Sequence, residues 1–128
     1  MAFGTYAKGS RAERELIAFF SSHGFEVIRA AGSGVNSLSP DLLAFRKGRQ
    51  YAVECKSWDR TSLSFEKEKV AQMKNWEEVT GITYYVGWRV SREGWHIFPV
   101  HLLEEKGKSY TITLEKARLA GRKPEELV

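Results

Sequence analysis

A stretch in the first half of the chain has the pattern of a β-hairpin that carries two acidic residues and a lysine. Two runs with apolar residues, 41–46 and 50–56, flank a Lys-Gly-Arg sequence that is typical of a tight turn. Successive side chains of a strand point to opposite faces, so Glu54 and Lys56 should share one face. If the first strand brings Asp41 alongside, the hairpin predicts an oxygen-rich site suited to Mg²⁺ and a phosphate.

The acidic residues and the lysine leave a second interpretation open, because such residues are also common on the solvent-exposed face of a hairpin. The distribution of charge bears on the choice. The chain has a net charge of +4, and its first 60 residues carry nine Lys and Arg against six Asp and Glu. If the acids face a metal ion, the remaining surface is cationic and would attract a phosphate backbone. An ordinary solvated surface is the alternative.

Length and composition indicate a single globular domain, 1–128, because 128 residues can bury a real core but are too few for two ordinary domains. No apolar run approaches the roughly 18 residues that span a bilayer, so we expect no membrane segment. The first residues lack the apolar segment of a signal peptide, which predicts a cytoplasmic protein. The single cysteine, Cys55, excludes an internal disulfide, and we interpret it as a core residue on the back of the hairpin.

A capping-box pattern at Ser10 and Glu13 predicts that the first helix begins there and ends near Gly24. An apolar stripe at helical spacing supports this helix: Ala12, Leu16, Phe19 and Phe20. Glu13 borders the stripe. A capping role and a role at the hairpin site therefore both remain open for Glu13.

The rest of the chain alternates between strand and helix patterns. We predict one sheet with a helix on each side, in the order helix, three strands, helix, two strands. Outside the hairpin, the predicted elements are a strand at 25–30, a loop at 31–39, a helix from Ser64 to Gly81, a central strand at 82–90, a strand from Trp95, a short helix at 101–105 and a strand at 109–114.

The chain resembles the archaeal-type Holliday junction resolvases, a branch of the PD-(D/E)xK nuclease superfamily, over about residues 8–98. The residues that carry the resemblance are 8–16, 24–33, 40–45, 54–57 and 94–95. The family resemblance implies an α/β protein with a restriction-endonuclease-like mixed β-sheet of about five strands flanked by helices.

The resemblance also implies roles for particular residues. Glu13, Asp41 and Glu54 correspond to the metal-binding acids of the family, Lys56 to its catalytic lysine and Ser33 to a serine that supports activity. The implied cofactor is Mg²⁺, with Mn²⁺ substituting for it, and no small-molecule cofactor is expected. Basic residues that would hold DNA phosphates are Lys8, Arg11, Arg14 and Arg29.

The implied function is resolution of four-way (Holliday) DNA junctions by a homodimer that hydrolyses two symmetry-related strands. Two other functions remain open: a repair or restriction-like nuclease of the same fold that cuts duplex or nicked DNA, and a DNA-binding module that does not cleave. The loop at 34–39 departs from the family because it lacks the lysines of several relatives. Four large apolar residues are candidates for a dimer surface as well as for the core: Phe65, Met73, Trp76 and Trp88.

Overall fold

The computed structural model describes residues 2–30 and 40–128, and within the first range it describes side chains from residue 9 onward. These residues form three α-helices, eight strands and two short 3₁₀ turns. The helices are α1 (Ala2–Ser22), α2 (Lys67–Thr80) and α3 (Leu114–Ala120). The strands are β1 (Glu26–Arg29), β2 (Leu42–Arg46), β3 (Arg49–Ser57), β4 (Ser62–Glu66), β5 (Tyr84–Val90), β6 (Gly94–Pro99), β7 (Glu104–Lys106) and β8 (Ser109–Thr113).

The central feature is a five-stranded mixed sheet in the order β1-β2-β3-β5-β6. Strands β1, β2 and β3 pair antiparallel, β3 and β5 pair parallel, and β5 and β6 pair antiparallel. Because parallel neighbours need a crossover connection, β4 and α2 lie between β3 and β5 in the chain. The predicted α/β fold, a mixed sheet of about five strands flanked by helices, is confirmed, as is the hairpin of β2 and β3.

One face of this sheet packs against α1. Ala12, Leu16 and Phe20 are buried there, as the helical spacing predicts, and they form one core with Val53 of β3. The end of the chain closes the same core, because Leu127 is buried within it. Its carbonyl accepts a hydrogen bond of 2.7 Å from the Tyr51 hydroxyl.

The other face packs against α2 and a second, three-stranded sheet in the order β4-β8-β7. Val70 and Met73 of α2 and Trp88 of β5 are buried in this core. Fully burying side chains of this size contributes about 1.5–3 kcal/mol each, so the two cores hold the central sheet from both sides. Helix α2 ends at Gly81, whose φ of 73° is a left-handed conformation that glycine adopts without strain.

The second sheet was not predicted. Residues 62–66 form β4, and α2 begins at Lys67 instead of Ser64. The residues that were interpreted as a helix start alternate between exposed and buried positions, with Leu63 and Phe65 inside, which is the period of a strand. Partners distant in the chain override the local helix signal, because β4 pairs with β8.

The predicted start of the first helix was also wrong. Helix α1 begins at Ala2, so Ser10 lies inside it and does not cap it. The Ser10 hydroxyl instead accepts a 2.6 Å hydrogen bond from Arg14. The capping interpretation of Glu13 is therefore excluded. Near the C-terminal end of α2, Val79 is 76% exposed.

The C-terminal third differs from the prediction as well. A 3₁₀ turn at Val100–Leu102 replaces the predicted helix at 101–105, and the charged tail forms α3 and a second 3₁₀ turn. Phe65, Met73 and Trp88 are core residues and do not provide a dimer surface. None of the helices in the described part of the chain is long and apolar enough to cross a membrane.

Candidate active site

Asp41 lies immediately before β2, where its side chain reaches across to β3. Leu42 pairs with Val53, so Asp41 is just beyond the last paired residue of its strand. The backbone N–H of Cys55 donates a 2.8 Å hydrogen bond to Oδ2 of Asp41. This bond holds the Asp41 carboxylate beside the segment of β3 that carries Glu54 and Lys56.

Glu54 and Lys56 both point to the face of the sheet that packs against α2 and the second sheet. Glu54 is only 7% exposed, and its Oε1 accepts a 2.9 Å hydrogen bond from the Tyr84 hydroxyl. The Lys69 ammonium lies 3.5 Å from the same oxygen. The Lys56 ammonium lies 5.7 Å from the centre of the Phe65 ring.

Sequence reasoning missed Tyr84 and Lys69 as partners of Glu54. Tyr84 reaches Glu54 because β5 pairs in parallel with β3, with Tyr84 opposite Ala52. A buried carboxylate needs hydrogen-bond donors, so the need for partners was foreseeable. Their identity was not, because it depends on pairing between residues about 30 positions apart.

Glu13 approaches this end of the sheet from the opposite side, on α1. Its carboxylate accepts a hydrogen bond from the Arg29 guanidinium, which links α1 to β1. The Glu13 side chain is 17% exposed, whereas the Arg29 side chain is 52% exposed. Arg29 therefore contacts one of the three acids while part of its guanidinium surface still faces solvent.

The three carboxylates interact electrostatically, and we call Glu13, Asp41 and Glu54 the acid cluster. Burial, followed by the negative charges of Glu54 and Glu13, raises the pKa of Asp41 to about 6. The Cys55 N–H and the Lys56 ammonium oppose this rise. The negative charge around Asp41 is thus not fully compensated by Lys56.

The acid cluster fits a hard divalent cation by chemistry and charge, although it is not a preformed cage. Carboxylate oxygens are the ligands that Mg²⁺ prefers, and a cation would relieve the repulsion that raises the pKa of Asp41. Among the described side chains, however, no three His, Cys, Asp or Glu residues are arranged so that they could hold a metal ion as they stand. Glu54 and Glu13 are each engaged by a basic partner, so metal binding requires these side chains to reorient.

Of the remaining predicted site residues, the structure describes the side chains of Arg11 and Arg14. Arg11 and Arg14 are exposed on α1, and Arg11 lines a cavity of about 240 Å³ together with Ser57 and Arg89. Ser33 and the side chain of Lys8 lie outside the described residues. The roles of all these residues in catalysis and DNA binding stay predictions.

Cys55 behaves as a core residue of the α1 face and not as a nucleophile. It is partly buried and packs against the cluster formed by α1. Burial first, and the charge of Asp41 second, raise the pKa of the Cys55 thiol. The thiol therefore stays protonated at neutral pH, which agrees with its interpretation from the sequence.

Solved structures place the fold among nucleases. The structure of Hjc from Archaeoglobus fulgidus, described as a Holliday junction resolvase from an archaeal hyperthermophile, matches with a TM-score of 0.81 and 30% identity over 93% of both chains. The bacterial homing endonuclease I-Ssp6803I matches with a TM-score of 0.55 and 18% identity, over 96% of this chain and 86% of that one, and shares the fold alone. The molecule is thus a nuclease of the restriction-endonuclease-like fold.

Sequence comparisons are more specific. The crossover junction endodeoxyribonuclease Hjc of A. fulgidus is 35% identical over 125 residues, which cover 91% of each chain. That of Methanocaldococcus jannaschii is 39% identical over 108 residues, which cover 84% of this chain and 77% of the relative. The model of the archaeal Holliday junction resolvase (Hjc) family matches residues 4–123. The chain belongs to this family, and the resemblance predicted from its sequence is confirmed.

Proposed function

We propose that this protein is a structure-selective endodeoxyribonuclease that resolves four-way DNA junctions by metal-dependent hydrolysis of phosphodiester bonds. Membership of the Holliday junction resolvase family supports the substrate. The observation that carries the chemistry is the hydrogen bond from Cys55 to Asp41, because it brings the Asp41 carboxylate beside Glu54 and Lys56. Location of the protein in the cytoplasm remains a prediction from the sequence.

Glu13, Asp41 and Glu54 would hold the metal ion, which we propose is Mg²⁺ with Mn²⁺ as a substitute. A hard cation bound there would lower the pKa of a coordinated water and offset charge on the scissile phosphate. Tyr84 and Lys69 position Glu54, because they contact the same carboxylate oxygen. Arg29 positions Glu13, because its guanidinium donates a hydrogen bond to the Glu13 carboxylate.

Lys56 supplies the positive charge of the site. Its ammonium lies over the Phe65 ring, and this cation–π contact favours a position at the end of the sheet that holds the acid cluster. An ammonium in this place stabilises negative charge that develops on the phosphate, or orients the attacking water. The serine predicted to support this chemistry is Ser33.

DNA would be held mainly through its phosphates. Arg11 and Arg14 project from α1 into solvent, and Arg29 is half-exposed at the edge of the acid cluster. Guanidinium groups match the geometry of phosphate oxygens, and such contacts position a backbone without reading its sequence. We propose the same role for Lys8 from the family resemblance of its sequence.

We further propose that the active form is a homodimer. A four-way junction must be cut in two symmetry-related strands to give two duplexes, and an isologous dimer presents two related sites at a fixed separation. The apolar residues first considered for the interface are mostly buried in the monomer. Burial excludes Phe65, Met73 and Trp88 from such an interface, whereas Trp76 is only partly buried.

The proposal is tested by incubating the purified protein with an end-labelled immobile four-way junction and Mg²⁺, beside its component duplexes and beside samples in EDTA. We expect paired nicks at symmetric positions in the junction, no nicks in EDTA and much slower cutting of the duplexes. Equal cutting of linear or nicked duplex would reassign the protein to the repair or restriction-like nucleases. Junction binding without any cleavage in Mg²⁺ or Mn²⁺ would identify a non-cleaving module.

A further inference from the structure

Trp58 is a large aromatic residue at the surface directly beyond the acid cluster. It follows Lys56 by two positions, and 38% of its surface is exposed. The guanidinium of Arg60 lies over its ring, 5.0 Å from the ring centre. An exposed tryptophan has an energetic cost because its apolar surface faces water, so its position beside the proposed catalytic lysine calls for an explanation.

The backbone around Trp58 is held in place by hydrogen bonds to the β5–β6 hairpin. The Trp58 N–H donates to the Arg89 carbonyl over 3.1 Å, and the Trp88 indole donates to the Trp58 carbonyl over 2.8 Å. The carboxylate of Asp59 accepts hydrogen bonds of 2.8 and 2.7 Å from the backbone and hydroxyl of Ser91. These contacts make the segment a rigid support, which reduces the entropy lost when a ligand binds.

Trp58 and Arg60 line a cavity of about 550 Å³ that also reaches Lys56. Its polar lining includes Ser57 and Ser62, and none of the described residues that line it is acidic. A cavity with an aromatic wall, two cations and hydroxyl groups suits a ligand that combines a flat ring with negative charge. A nucleotide has this combination.

We propose that this cavity binds one nucleotide of the DNA whose base is unstacked, next to the strand that the acid cluster cleaves. The base stacks on Trp58 in the place that the Arg60 guanidinium occupies in the free protein, and the displaced guanidinium binds the phosphate of that nucleotide. Stacking on an aromatic side chain accepts any base, because each has a π-face. Arg60 keeps the ring covered until DNA arrives.

This inference rests on the proposed function and makes it more specific. Bases within a continuous duplex are stacked on both sides and have no free face, whereas the bases at the branch point of an open junction lose a stacking neighbour. A stacking site beside the cleaved strand would therefore favour branched over linear DNA without reading sequence. It would add a source of selectivity to the phosphate contacts, which position the DNA without reading its sequence.

The test uses an immobile four-way junction with a single 2-aminopurine at each branch-point position in turn, and a short single strand with the same base. Stacking on Trp58 changes the fluorescence of 2-aminopurine. The proteins compared are wild type, Trp58→Ala, Trp58→Leu and Trp58→Phe, with Leu119→Ala as a control, because Leu119 is 84% exposed on α3. Circular dichroism and the melting temperature check that each variant folds.

We expect Trp58→Ala and Trp58→Leu to weaken junction binding by about 5- to 150-fold, the range measured for the loss of one stacked base. They should also abolish the 2-aminopurine signal, whereas Trp58→Phe retains most of both. Arg60→Ala should keep the stacking signal and flatten the salt dependence of binding by about one phosphate contact. Trp58→Leu matters in particular because it keeps apolar volume and lacks a π-face.

The outcomes separate this inference from the proposed function. If the wild type cleaves the junction while Trp58→Ala binds it with unchanged affinity and fluorescence, the stacking site is refuted and the nuclease assignment stands. If the wild type neither cleaves nor prefers the junction, but the single-strand signal depends on Trp58, the stacking site stands and junction resolution is refuted. If the 2-aminopurine fluorescence depends on Trp58 neither in the junction nor in the single strand, the stacking site is refuted whatever the cleavage result.

Discussion

Two clusters of charged side chains surround the buried polar residues Glu54 and His96. Like charges meet in the first cluster, whereas opposite charges meet in the second. In the acid cluster, neighbouring carboxylates and burial raise the pKa of Asp41 to about 6. In the second, which we call the histidine cluster, the Glu93 carboxylate accepts hydrogen bonds from His96 and Arg118. The Arg118 guanidinium first, and His96 next, lower the pKa of Glu93 to about 2.

The two clusters differ in the role of their charges. Those of the histidine cluster stabilise the fold, whereas those of the acid cluster belong to the candidate active site. In the histidine cluster, opposite charges meet, and they attach α3 to the end of the β5–β6 hairpin. In the acid cluster, like charges meet, which raises the free energy of the folded state. Removing the negative charge of Glu93 should therefore destabilise the protein, and removing that of Asp41 should stabilise it, which can be tested.

The largest expected effect is that of Asp41→Asn on cleavage. The asparagine oxygen can still accept from the Cys55 N–H, so the fold is kept while one metal-binding charge is lost. We expect Mg²⁺-dependent cleavage to fall by at least about a hundredfold, with junction binding within a few-fold of wild type. In EDTA at pH 7 the free energy of unfolding should rise by about 1 kcal/mol, because repulsion is relieved.

Activity assays and urea denaturation measure the two effects of Asp41→Asn on the same preparation. Unchanged cleavage would refute the assignment of Asp41 to the site. If Asp41→Asn lowered the free energy of unfolding by as much as we expect it to rise, the acid cluster would not be a region of net repulsion. The comparison between the two clusters would then fail.

The next effect concerns the metal ion in the absence of DNA. Mg²⁺ or Mn²⁺ should raise the melting temperature of the wild type by several degrees, since a ligand at about 100 times its dissociation constant stabilises a protein by about 2.7 kcal/mol. Asp41→Asn should lose most of this shift, whereas Glu93→Gln should retain it. An equal shift in both variants would place the bound ion outside the acid cluster.

A smaller effect on cleavage is expected when two tyrosines are compared whose hydroxyls donate hydrogen bonds on opposite faces of the sheet. Tyr84→Phe removes a donor to Glu54, and Tyr51→Phe removes a donor to the Leu127 carbonyl. Each should cost about 1 kcal/mol of stability, because a buried acceptor loses its partner. Only Tyr84→Phe should slow cleavage, by about tenfold, as is typical for residues that position metal ligands. Equal slowing in both variants would mean that cleavage merely follows stability.

The smallest expected effect is that of Glu93→Gln, which should lower stability at pH 7 and leave cleavage unchanged. A carboxylate with a lowered pKa stabilises the fold above its ordinary value of 4.5, and this contribution is lost as the pH falls toward about 2. The difference in urea midpoint between variant and wild type should therefore be constant from pH 7 to 5 and shrink at lower pH. A difference that is as large at pH 3 as at pH 7 would argue against a charge effect.

Local patterns predicted some parts of the molecule and not others. The hairpin of β2 and β3 was predictable because strand alternation and the Lys-Gly-Arg turn lie within one short segment. The strand β4 was not, because it exists through pairing with β8, which lies about 50 residues further along the chain. The start of α1 was missed because a local capping signal at Ser10 is overridden by a longer helix.

The candidate site divides in the same way. Its acidic residues and Lys56 were selected from motif and resemblance, and the structure brings Asp41 next to the segment that carries Glu54. The groups that position these acids, such as Tyr84, were not predicted, because they depend on which strands become neighbours. No pattern within the sequence of α3 indicated that Arg118 would contact Glu93.

The burial of Leu127 against Tyr51 has a consequence for synthesis of the chain. The core beneath α1 includes residues from both ends of the described sequence, so it cannot close while the last of them are still inside the ribosomal tunnel. At roughly 5–20 residues per second, translation leaves the earlier strands waiting for several seconds before their final packing partner emerges. The earlier strands of a nascent chain therefore keep the apolar surface of this core exposed until Leu127 has been synthesised and has left the tunnel.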